Sequence, residues 1–382
     1  MTTLHDLPES LNNLIIWTIR SENITLPQIL LGSEIIKKNY NVLKNFFNAD
    51  NKIFYSVKAN NHPDVLNMIK GLGAGFEIAS EGELKNIEDI NADPSSVLFS
   101  NPVKIPRHIS KAYEYGVRVY AFDTYSELKK ISEHAPGSEV FLRIRVPNKG
   151  AEWELNDKFG CSLNEVIPLF KKAAGLNLTP AGVTFHVGWN NHDVNTWQKA
   201  VSLACKATKM CYDHDISLRF INLGGGFPAH NTDQYDLIRK ISVEINPLLS
   251  ALQKKYNINV YTEPGTFLMA NAGVLLTRIF DIAKRNGKNW IFTDTGIFQG
   301  FFWIMGGLKY NIIYPYEGYD EKDVREYTVT GPSCDSHDIF SDNALLPSCI
   351  KKGDILAVYP AGAYIASAKE YNGFSYPKQI LH

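Results

Sequence analysis

The sequence has no excess of either charge, no basic tract and no long apolar run. Its 382 residues include 39 lysines and arginines against 40 aspartates and glutamates. That balance lacks the electrostatic footprint by which nucleic-acid-binding proteins are recognised. The N-terminus has no basic region ahead of an apolar core, and no apolar stretch reaches the length of a membrane span. We therefore expect neither nucleic acid nor a membrane as a partner.

Cysteine is scarce. The chain has an odd number of cysteines, and no two of them have CxxC spacing. They are Cys161, Cys205, Cys211, Cys334 and Cys349. This pattern argues against a disulfide framework and against a zinc site, and it favours reduced thiols in a cytosol. We therefore expect a cytoplasmic protein without a bound metal, in which Cys205 and Cys211 are packing residues of a helical stretch.

Long linkers, internal repeats and low-complexity tracts are also missing. Instead, short β-rich runs alternate with amphipathic helical segments up to about residue 266. A succession of eight such units predicts a closed parallel (β/α)8 barrel, whose active site lies at the carboxyl ends of its strands. We place this barrel at residues 31–266. The predicted strands are 52–57, 75–80, 96–100, 118–123, 139–146, 181–187, 219–224 and 259–264.

The remainder of the chain predicts a second, mainly antiparallel β domain. After residue 266 the pattern becomes β-rich, with GVLLTRIFDI, KNWIFTDT, REYTVTG and DILAVYPAGAY separated by turn residues. The first thirty residues contain the strand-like runs LIIWTIR and QILLGS. We therefore expect residues 1–30 to complete a domain formed by residues 267–382.

Lys58 is the first candidate for chemistry, because it follows the β-branched and aromatic run of FYSVKANNHPD. A lysine in that position either extends its ammonium group to water or uses its amine in a reaction. In the predicted barrel it lies at the end where active sites are built. Glu77, Glu83, Arg143 and His186 follow or end other predicted strands, although each alone is compatible with a structural role.

Three consecutive glycines and a glutamate complete the pattern. Gly224, Gly225 and Gly226 expose backbone amides, and amides of a glycine-rich turn bind phosphate. Glu263 follows the last predicted strand, in TEPG. A lysine amine, a phosphate-binding turn and a carboxylate for the ring nitrogen are the groups that pyridoxal phosphate requires.

These motifs resemble the fold III pyridoxal phosphate decarboxylases of ornithine, diaminopimelate and arginine, which have an alanine racemase-like fold. The resemblance runs in order through YSVKAN, GFEIASEGEL, FHVG, NLGGGFP, EPG, GPSCDSHDIF, GDILAVYPAGAY and YNGF. The forms HVG, GPxCDSxD and NGF are most similar to the ornithine branch. The chain is thus expected to be a lyase that releases carbon dioxide and an amine, in polyamine-type metabolism.

The resemblance also implies a role for each matching residue. Lys58 would bind the cofactor covalently, His186 would stack on its ring, and Glu263 would contact the ring nitrogen. Cys334 would return a proton to the decarboxylated carbon, and Asp335 would contact the distal amine of the substrate. Further expected cofactor contacts are Glu77, Arg143, Gly224, Gly225, Gly226, Gly265, Thr266 and Tyr364, and further expected substrate contacts are Glu83 and Trp189.

In this family Cys334 and Asp335 would come from the partner subunit, which implies a homodimer with two composite sites. The chain also departs from the family pattern. Trp189 stands where a small hydroxyl residue is usual, Thr266 stands where an arginine usually binds the phosphate, and Gly306-Gly307 replaces a second acidic substrate contact.

Three functions remain open at this point. The first is decarboxylation of a basic amino acid such as ornithine. The second keeps the chemistry but uses a larger or conjugated substrate, such as diaminopimelate, carboxynorspermidine or a natural-product intermediate. The third is a catalytically silent relative that binds regulatory proteins; the presence of Lys58, His186, Glu263 and Cys334 argues against it.

Overall fold

The structure is a computed structural model that describes residues 3–21, 24–47, 51–155, 157–229, 233–365 and 370–382. Its α-helices are α1 Glu9–Ile19, α2 Ser33–Phe46, α3 Pro63–Gly71, α4 Glu81–Asp89, α5 Pro106–Tyr115, α6 Tyr125–His134, α7 Val166–Gly175, α8 Val194–Tyr212, α9 Gln234–Tyr256 and α10 Thr266–Met269.

The strands of the first part of the chain are β1 Gln28–Leu31, β2 Asn51–Ser56, β3 Gly75–Ile78, β4 Val97–Phe99, β5 Val119–Phe122, β6 Glu139–Arg143, β7 Ala151–Trp153, β8 Thr179–Thr184, β9 Trp189–Asn191, β10 Phe220–Asn222 and β11 Asn259–Thr262. Those of the second part are β12 Gly273–Arg285, β13 Lys288–Thr293, β14 Asn311–Ile313, β15 Val324–Thr330, β16 Ile339–Pro347, β17 Ile355–Tyr359, β18 Glu370–Tyr371, β19 Phe374–Ser375 and β20 Lys378–Leu381.

The chain divides into two compact units. One comprises residues 39–267, and the other comprises residues 1–38 together with 268–382. Helix α2 spans the division, so this boundary falls eight residues later than the one we placed between residues 30 and 31. The two units are called the barrel unit and the β unit below.

Within its described residues, the barrel unit contains eight parallel strands that close on themselves in the order β2, β3, β4, β5, β6, β8, β10 and β11. The predicted fold class is confirmed. The strands end earlier than predicted, for example at Arg143 and Thr184, so the residues that follow them form loops at the carboxyl end of the barrel.

Aromatic side chains fill part of the barrel interior. The rings of Phe220 and Tyr261 stack with centroids 4.3 Å apart, and Phe141 meets Phe220 edge to face at 5.6 Å. Such pairs stabilise a core beyond the burial of their apolar area. The cluster comprises Phe54, Leu98, Ala121, Phe141, Ala181, Phe220 and Tyr261. This packed interior holds the strand ends in fixed positions.

The β unit contains a sheet in the order β14, β17, β12, β13, β15 and β16, with β1 pairing both β12 and β20. Most pairings are antiparallel, as predicted, but β13 runs parallel to β15 and β1 runs parallel to β20. The QILLGS run supplies strand β1, which confirms that part of the expectation.

The other N-terminal expectation is wrong, because LIIWTIR lies in helix α1 rather than in a strand. Leu11, Ile15 and Thr18 are the buried residues of α1. Their spacing of four and three residues places them on one face of a helix, and that period outweighs the β-branched composition. Helix α8 contains Cys205 and Cys211, as expected. Across the described ranges, every helix falls short of the length and apolarity that crossing a membrane requires.

Candidate active site

Lys58 lies just beyond β2, in a short 3-10 turn over Val57–Ala59. Its Nζ donates to Glu77 Oε2 at 2.8 Å. Glu77 belongs to β3, and Ser56 and Glu77 are paired in the register between β2 and β3. The Glu77 side chain is 3% exposed, whereas that of Lys58 is 44% exposed. A buried carboxylate therefore orients an amine that an incoming molecule can reach.

Glu263 follows β11 and is buried. Its Oε1 accepts hydrogen bonds from Ser100 Oγ at 2.6 Å and from Asn222 Nδ2 at 2.7 Å. Burial, with a smaller contribution from the nearby Glu77 charge, raises the pKa of Glu263 to about 7. The two donors and Lys58 act in the opposite direction. The carboxyl group is therefore poised between its charged and neutral forms near neutral pH.

Ser100 and Asn222 are not among the site residues predicted from the sequence. Both have the position that identified the other candidates, because Ser100 directly follows β4 and Asn222 ends β10. Serine and asparagine at strand ends are common, so that position alone did not single them out.

Glu83 has a structural role as well as an electrostatic one. Its Oε2 accepts from the Ala79 amide at 2.7 Å, and its own amide donates to Ser80 Oγ at 3.2 Å, so it helps to cap α4. Burial and the neighbouring Glu77 raise the pKa of Glu83 to about 7. Its contact with a substrate stays a prediction.

His186 lies two residues beyond β8. Its Nδ1 accepts a hydrogen bond from the Gly188 amide at 3.1 Å, which assigns the ring proton to Nε2. Burial lowers the pKa of His186 to about 3, and the positive charges of Arg143 and Lys58 act in the same direction. The ring is therefore neutral at neutral pH, and a flat neutral ring is suited to stacking rather than to proton donation.

The glycine turn approaches this ring and Glu263 closely. Gly224 and Gly226 have φ angles of +64° and +93°, in the region that favours glycine. A Cβ atom on Gly225 would lie 2.8 Å from the Glu263 carbonyl oxygen and 3.4 Å from His186 Nε2. Among the described residues, the amides of Gly225 and Gly226 donate to no protein acceptor. These amides can bind an anion, and a side chain at Gly225 would fill the space beside them.

The side chains of Trp189 and Thr266 form a hydrogen bond with each other. Trp189 Nε1 donates to Thr266 Oγ1 at 3.0 Å, and Thr266 is buried. Trp189 lies in β9, which pairs with β7, and its ring centroid is 5.7 Å from that of Trp153. The two departures from the family pattern therefore form a single indole and hydroxyl pair. Gly265, the residue before Thr266, packs so closely that a Cβ atom would lie 3.0 Å from Ala59 Cβ.

Arg143 ends β6 beside a cavity of about 390 Å³ in the barrel unit. Its guanidinium carbon lies 5.2 Å from the centroid of the Phe159 ring. His186, Glu154 and Lys158 also line this cavity. Burial lowers the pKa of Arg143, although the group remains a cation at any physiological pH.

Cys334 and Asp335 lie in the β unit, in the loop between β15 and β16. Cys334 is exposed, and Asn372 Nδ2 lies 3.8 Å from its sulfur. Asp335 accepts hydrogen bonds from the His337 amide at 2.9 Å and from the Tyr371 hydroxyl at 2.8 Å. These bonds lower the pKa of Asp335, with the His337 amide contributing most, and hold it as a carboxylate. The Cys334 thiol and the Asp335 carboxylate are therefore neighbours that solvent can reach.

Tyr364 is also in the β unit, half-buried, with a φ of +60° and its ring centroid 6.2 Å from that of Trp303. Its contact with a phosphate stays a prediction.

A comparison with known proteins agrees with these features. A family profile described as "Pyridoxal-dependent decarboxylase, pyridoxal binding domain" matches residues 33–270. The lysine/ornithine decarboxylase of Selenomonas ruminantium is 29% identical over 94% of this chain and 91% of its own length. The ornithine decarboxylase of Schizosaccharomyces pombe is 30% identical over 84% of this chain and 75% of its own length.

Among solved structures, the lysine/ornithine decarboxylase of Vibrio vulnificus complexed with putrescine has a TM-score of 0.87 and 27% identity, over 98% of this chain and 99% of the other. The predicted family, its ornithine branch and its cofactor are confirmed. The chain belongs to the pyridoxal-dependent decarboxylases.

Proposed function

We propose that this protein decarboxylates a basic amino acid of the ornithine or lysine type, releasing carbon dioxide and a diamine. The observation that carries the proposal is a group of chemically matched residues at one end of the barrel. The Lys58 amine donates to Glu77, the Glu263 carboxyl accepts from two donors, and the glycine turn offers backbone amides. Pyridoxal phosphate, when bound, supplies an electron sink for the bond that breaks at Cα.

The residues of the barrel unit fit this cofactor. Lys58 would hold it covalently, and Glu77 would keep the amine oriented towards it. Glu263 would face the ring nitrogen; as a carboxylate with two hydrogen-bond donors already in place, it favours the protonated form of that nitrogen. His186, a neutral ring beside the glycine turn, would pack on the cofactor ring.

The phosphate end would rely on neutral donors. The amides of Gly225 and Gly226 are available, and Thr266 Oγ1 accepts from Trp189, so its own proton remains to be donated. An arginine would have contributed a charge-assisted hydrogen bond of about 1.5 to 3 kcal/mol at this place. We therefore infer weaker retention of the cofactor than in relatives that have the arginine.

We further propose a cytosolic homodimer in which each site is completed by the partner subunit. Cys334 would return a proton to Cα, and Asp335 would bind the distal ammonium group of the substrate. What supports this proposal is the family resemblance together with the exposure of the Cys334 and Asp335 loop, since a donated loop must be reachable by another chain. The cysteines of the described residues are free, which agrees with a reducing compartment.

An amine-release screen tests the substrate. The purified protein, loaded with pyridoxal phosphate, is incubated with ornithine, lysine, arginine, diaminopimelate and carboxynorspermidine, with the Lys58→Ala protein as the control. We expect carbon dioxide and diamine in equal amounts from ornithine or lysine, and none from the control.

Two results would contradict this proposal in different ways. Consumption of diaminopimelate or carboxynorspermidine alone would assign the protein to a larger substrate. A stably bound cofactor with no amino acid consumed would instead identify a regulatory relative.

A further inference from the structure

The Asp335 carboxylate lies in a network that extends beyond its own loop. Its Oδ1 accepts from the His337 amide at 2.9 Å and lies 3.0 Å from His337 Nδ1, and its Oδ2 accepts from the Tyr371 hydroxyl at 2.8 Å. The Asp335 side chain is 28% exposed. His337 therefore contacts Oδ1 of the carboxylate, and Tyr371 donates to Oδ2.

Tyr371 is itself held firmly within the β unit. Its ring stacks on Phe298, with centroids 4.2 Å apart and planes 28° from parallel. It precedes the two-residue turn Asn372-Gly373 between β18 and β19, where both residues have positive φ angles of +52° and +79°. A turn of this kind fixes the register of a hairpin. The hydroxyl therefore has a set position beside Asp335.

The same network connects Phe298 with the Asp335 loop. The amide of Ile297, the neighbour of Phe298, donates to Asp338 Oδ1 at 2.8 Å. The other oxygen of Asp338, which is buried, accepts from the Ser333 amide at 3.1 Å and from Ser333 Oγ at 2.6 Å. Asp338 thus joins the segment that supports Tyr371 to the loop that carries Asp335.

A tyrosine hydroxyl is one donor and two acceptor lone pairs. Tyr371 uses its proton on Asp335, and within the described residues its hydroxyl makes no other hydrogen bond. Donation to a carboxylate strengthens the hydroxyl oxygen as an acceptor. An alkylammonium group carries three N–H donors, so one such group can bind the Asp335 carboxylate and the Tyr371 oxygen together.

Gly307, like Gly306 before it, has no side chain that could supply the second acceptor. It follows the 3-10 helix Phe302–Gly306 and has a φ of +97°. A Cβ atom there would meet no atom within 4 Å, but the backbone conformation is one that an aspartate adopts only with strain. An acidic contact at residue 307 is therefore disfavoured by the backbone rather than by crowding.

We infer that Tyr371 is a specificity-determining residue, whose hydroxyl oxygen is the second acceptor for the distal ammonium group of a diamino acid substrate. This inference rests on the proposed function. It assigns recognition of the diamine end to one carboxylate and one tyrosine, rather than to two carboxylates.

The test uses Tyr371→Phe, which keeps the ring on Phe298 and removes the oxygen. Loss of a hydrogen bond to a charged group predicts an increase of about 10- to 150-fold in KM for lysine or ornithine, with kcat within about threefold of wild type. The matched control is Tyr376→Phe in the same segment. The Tyr376 hydroxyl is buried and has no hydrogen-bond partner among the described residues, so its loss should leave KM unchanged.

A second measurement separates recognition from a general disturbance of the site. Inhibition by 1,5-diaminopentane is compared with inhibition by 1-aminopentane, which lacks the distal ammonium group. Wild-type protein should prefer the diamine, and Tyr371→Phe should lose most of that preference while its affinity for the monoamine stays the same. Equal loss of affinity for both amines would overturn the inference.

Failure of the inference and failure of the proposed function give different results. Turnover of lysine or ornithine by the wild-type protein, with an unchanged KM and an unchanged diamine preference in Tyr371→Phe, would overturn the inference alone. A wild-type protein that consumes no diamino acid would contradict the proposed function and the inference with it.

Discussion

Replacing Glu263 with glutamine removes one negative charge from the barrel site and keeps the shape of the side chain. The Glu263 Oε1 atom accepts from Ser100 Oγ at 2.6 Å and from Asn222 Nδ2 at 2.7 Å. A glutamine carbonyl oxygen can accept both bonds, so the network should survive and the cofactor should remain bound. What is lost is the charge that pairs with the protonated ring nitrogen.

The size of the effect follows from that lost charge. A hydrogen bond to a charged group contributes about 1.5 to 3 kcal/mol. Each 1.36 kcal/mol corresponds to a factor of about ten in rate, so kcat of Glu263→Gln should fall about 10- to 150-fold. Burial raises the pKa of Glu263 to about 7, so the folded protein holds the neutral form easily. We therefore expect the variant to be at least as stable as the wild type above pH 7.

The assay is kcat at saturating substrate and saturating pyridoxal phosphate, with the bound cofactor measured separately on the same samples. Ser100→Ala serves as the control. It removes one of the two donors but leaves the charge of the carboxylate, so we expect kcat to fall less than in Glu263→Gln. Unchanged turnover in Glu263→Gln with a full complement of cofactor would show that Glu263 is only a glutamate at the end of a strand.

Further predictions concern the pH dependence of stability, cofactor retention and the dimer. Burial raises the pKa of Glu83 to about 7, so the contribution of Glu83 to the free energy of unfolding is present at low pH and is lost as the pH rises through 7. Glu83→Gln should therefore stabilise the cofactor-free protein at pH 8 more than at pH 5. Equal shifts of the urea midpoint at both pH values would contradict this prediction. Because Thr266 is buried and hydrogen-bonded to Trp189, the Thr266→Arg protein should lose cofactor faster than wild type on dialysis. The double variant Thr266→Arg with Trp189→Ser should lose it more slowly than wild type. Faster loss from the double variant would refute the role assigned to the missing arginine. Mixing Lys58→Ala with Cys334→Ala under subunit exchange should restore up to about a quarter of wild-type activity, because random pairing makes half of the dimers mixed and each mixed dimer has one intact site. No recovery, with exchange confirmed independently, would mean that each chain forms its site alone.

The barrel and most of its strand-end candidates could be predicted from sequence because their signals are local. Short apolar runs alternate with amphipathic helices, and a parallel barrel brings the residues after each run to one end. Lys58 and Glu77 accordingly meet at 2.8 Å. The expectation of a strand in LIIWTIR is wrong because its composition resembles that of a strand, whereas Leu11, Ile15 and Thr18 follow a helical period.

The contacts that tune the site could not be predicted, because they join residues far apart in the chain. Ser100 and Glu263 are separated by 163 positions, and Trp189 and Thr266 by 77. No local pattern predicts that a tryptophan and a threonine, each unusual for its place, form a hydrogen bond with each other. The partner of Tyr371 likewise depends on the fold of the loop opposite its hairpin.

The attachment of the cofactor to Lys58 is tested most directly by reducing the loaded protein with borohydride and mapping the modified lysine by peptide mass spectrometry. Lys104 is the alternative attachment point to exclude, because burial lowers its pKa to about 8 and so increases the fraction of reactive amine. Its Nζ, however, is fully buried and donates to the backbone oxygens of Asn101 and Ala121. We predict that the reduced cofactor is found on Lys58 and is absent from the Lys58→Ala protein. A cofactor adduct on Lys104 or on any other lysine of the wild-type protein would contradict the assignment of the site.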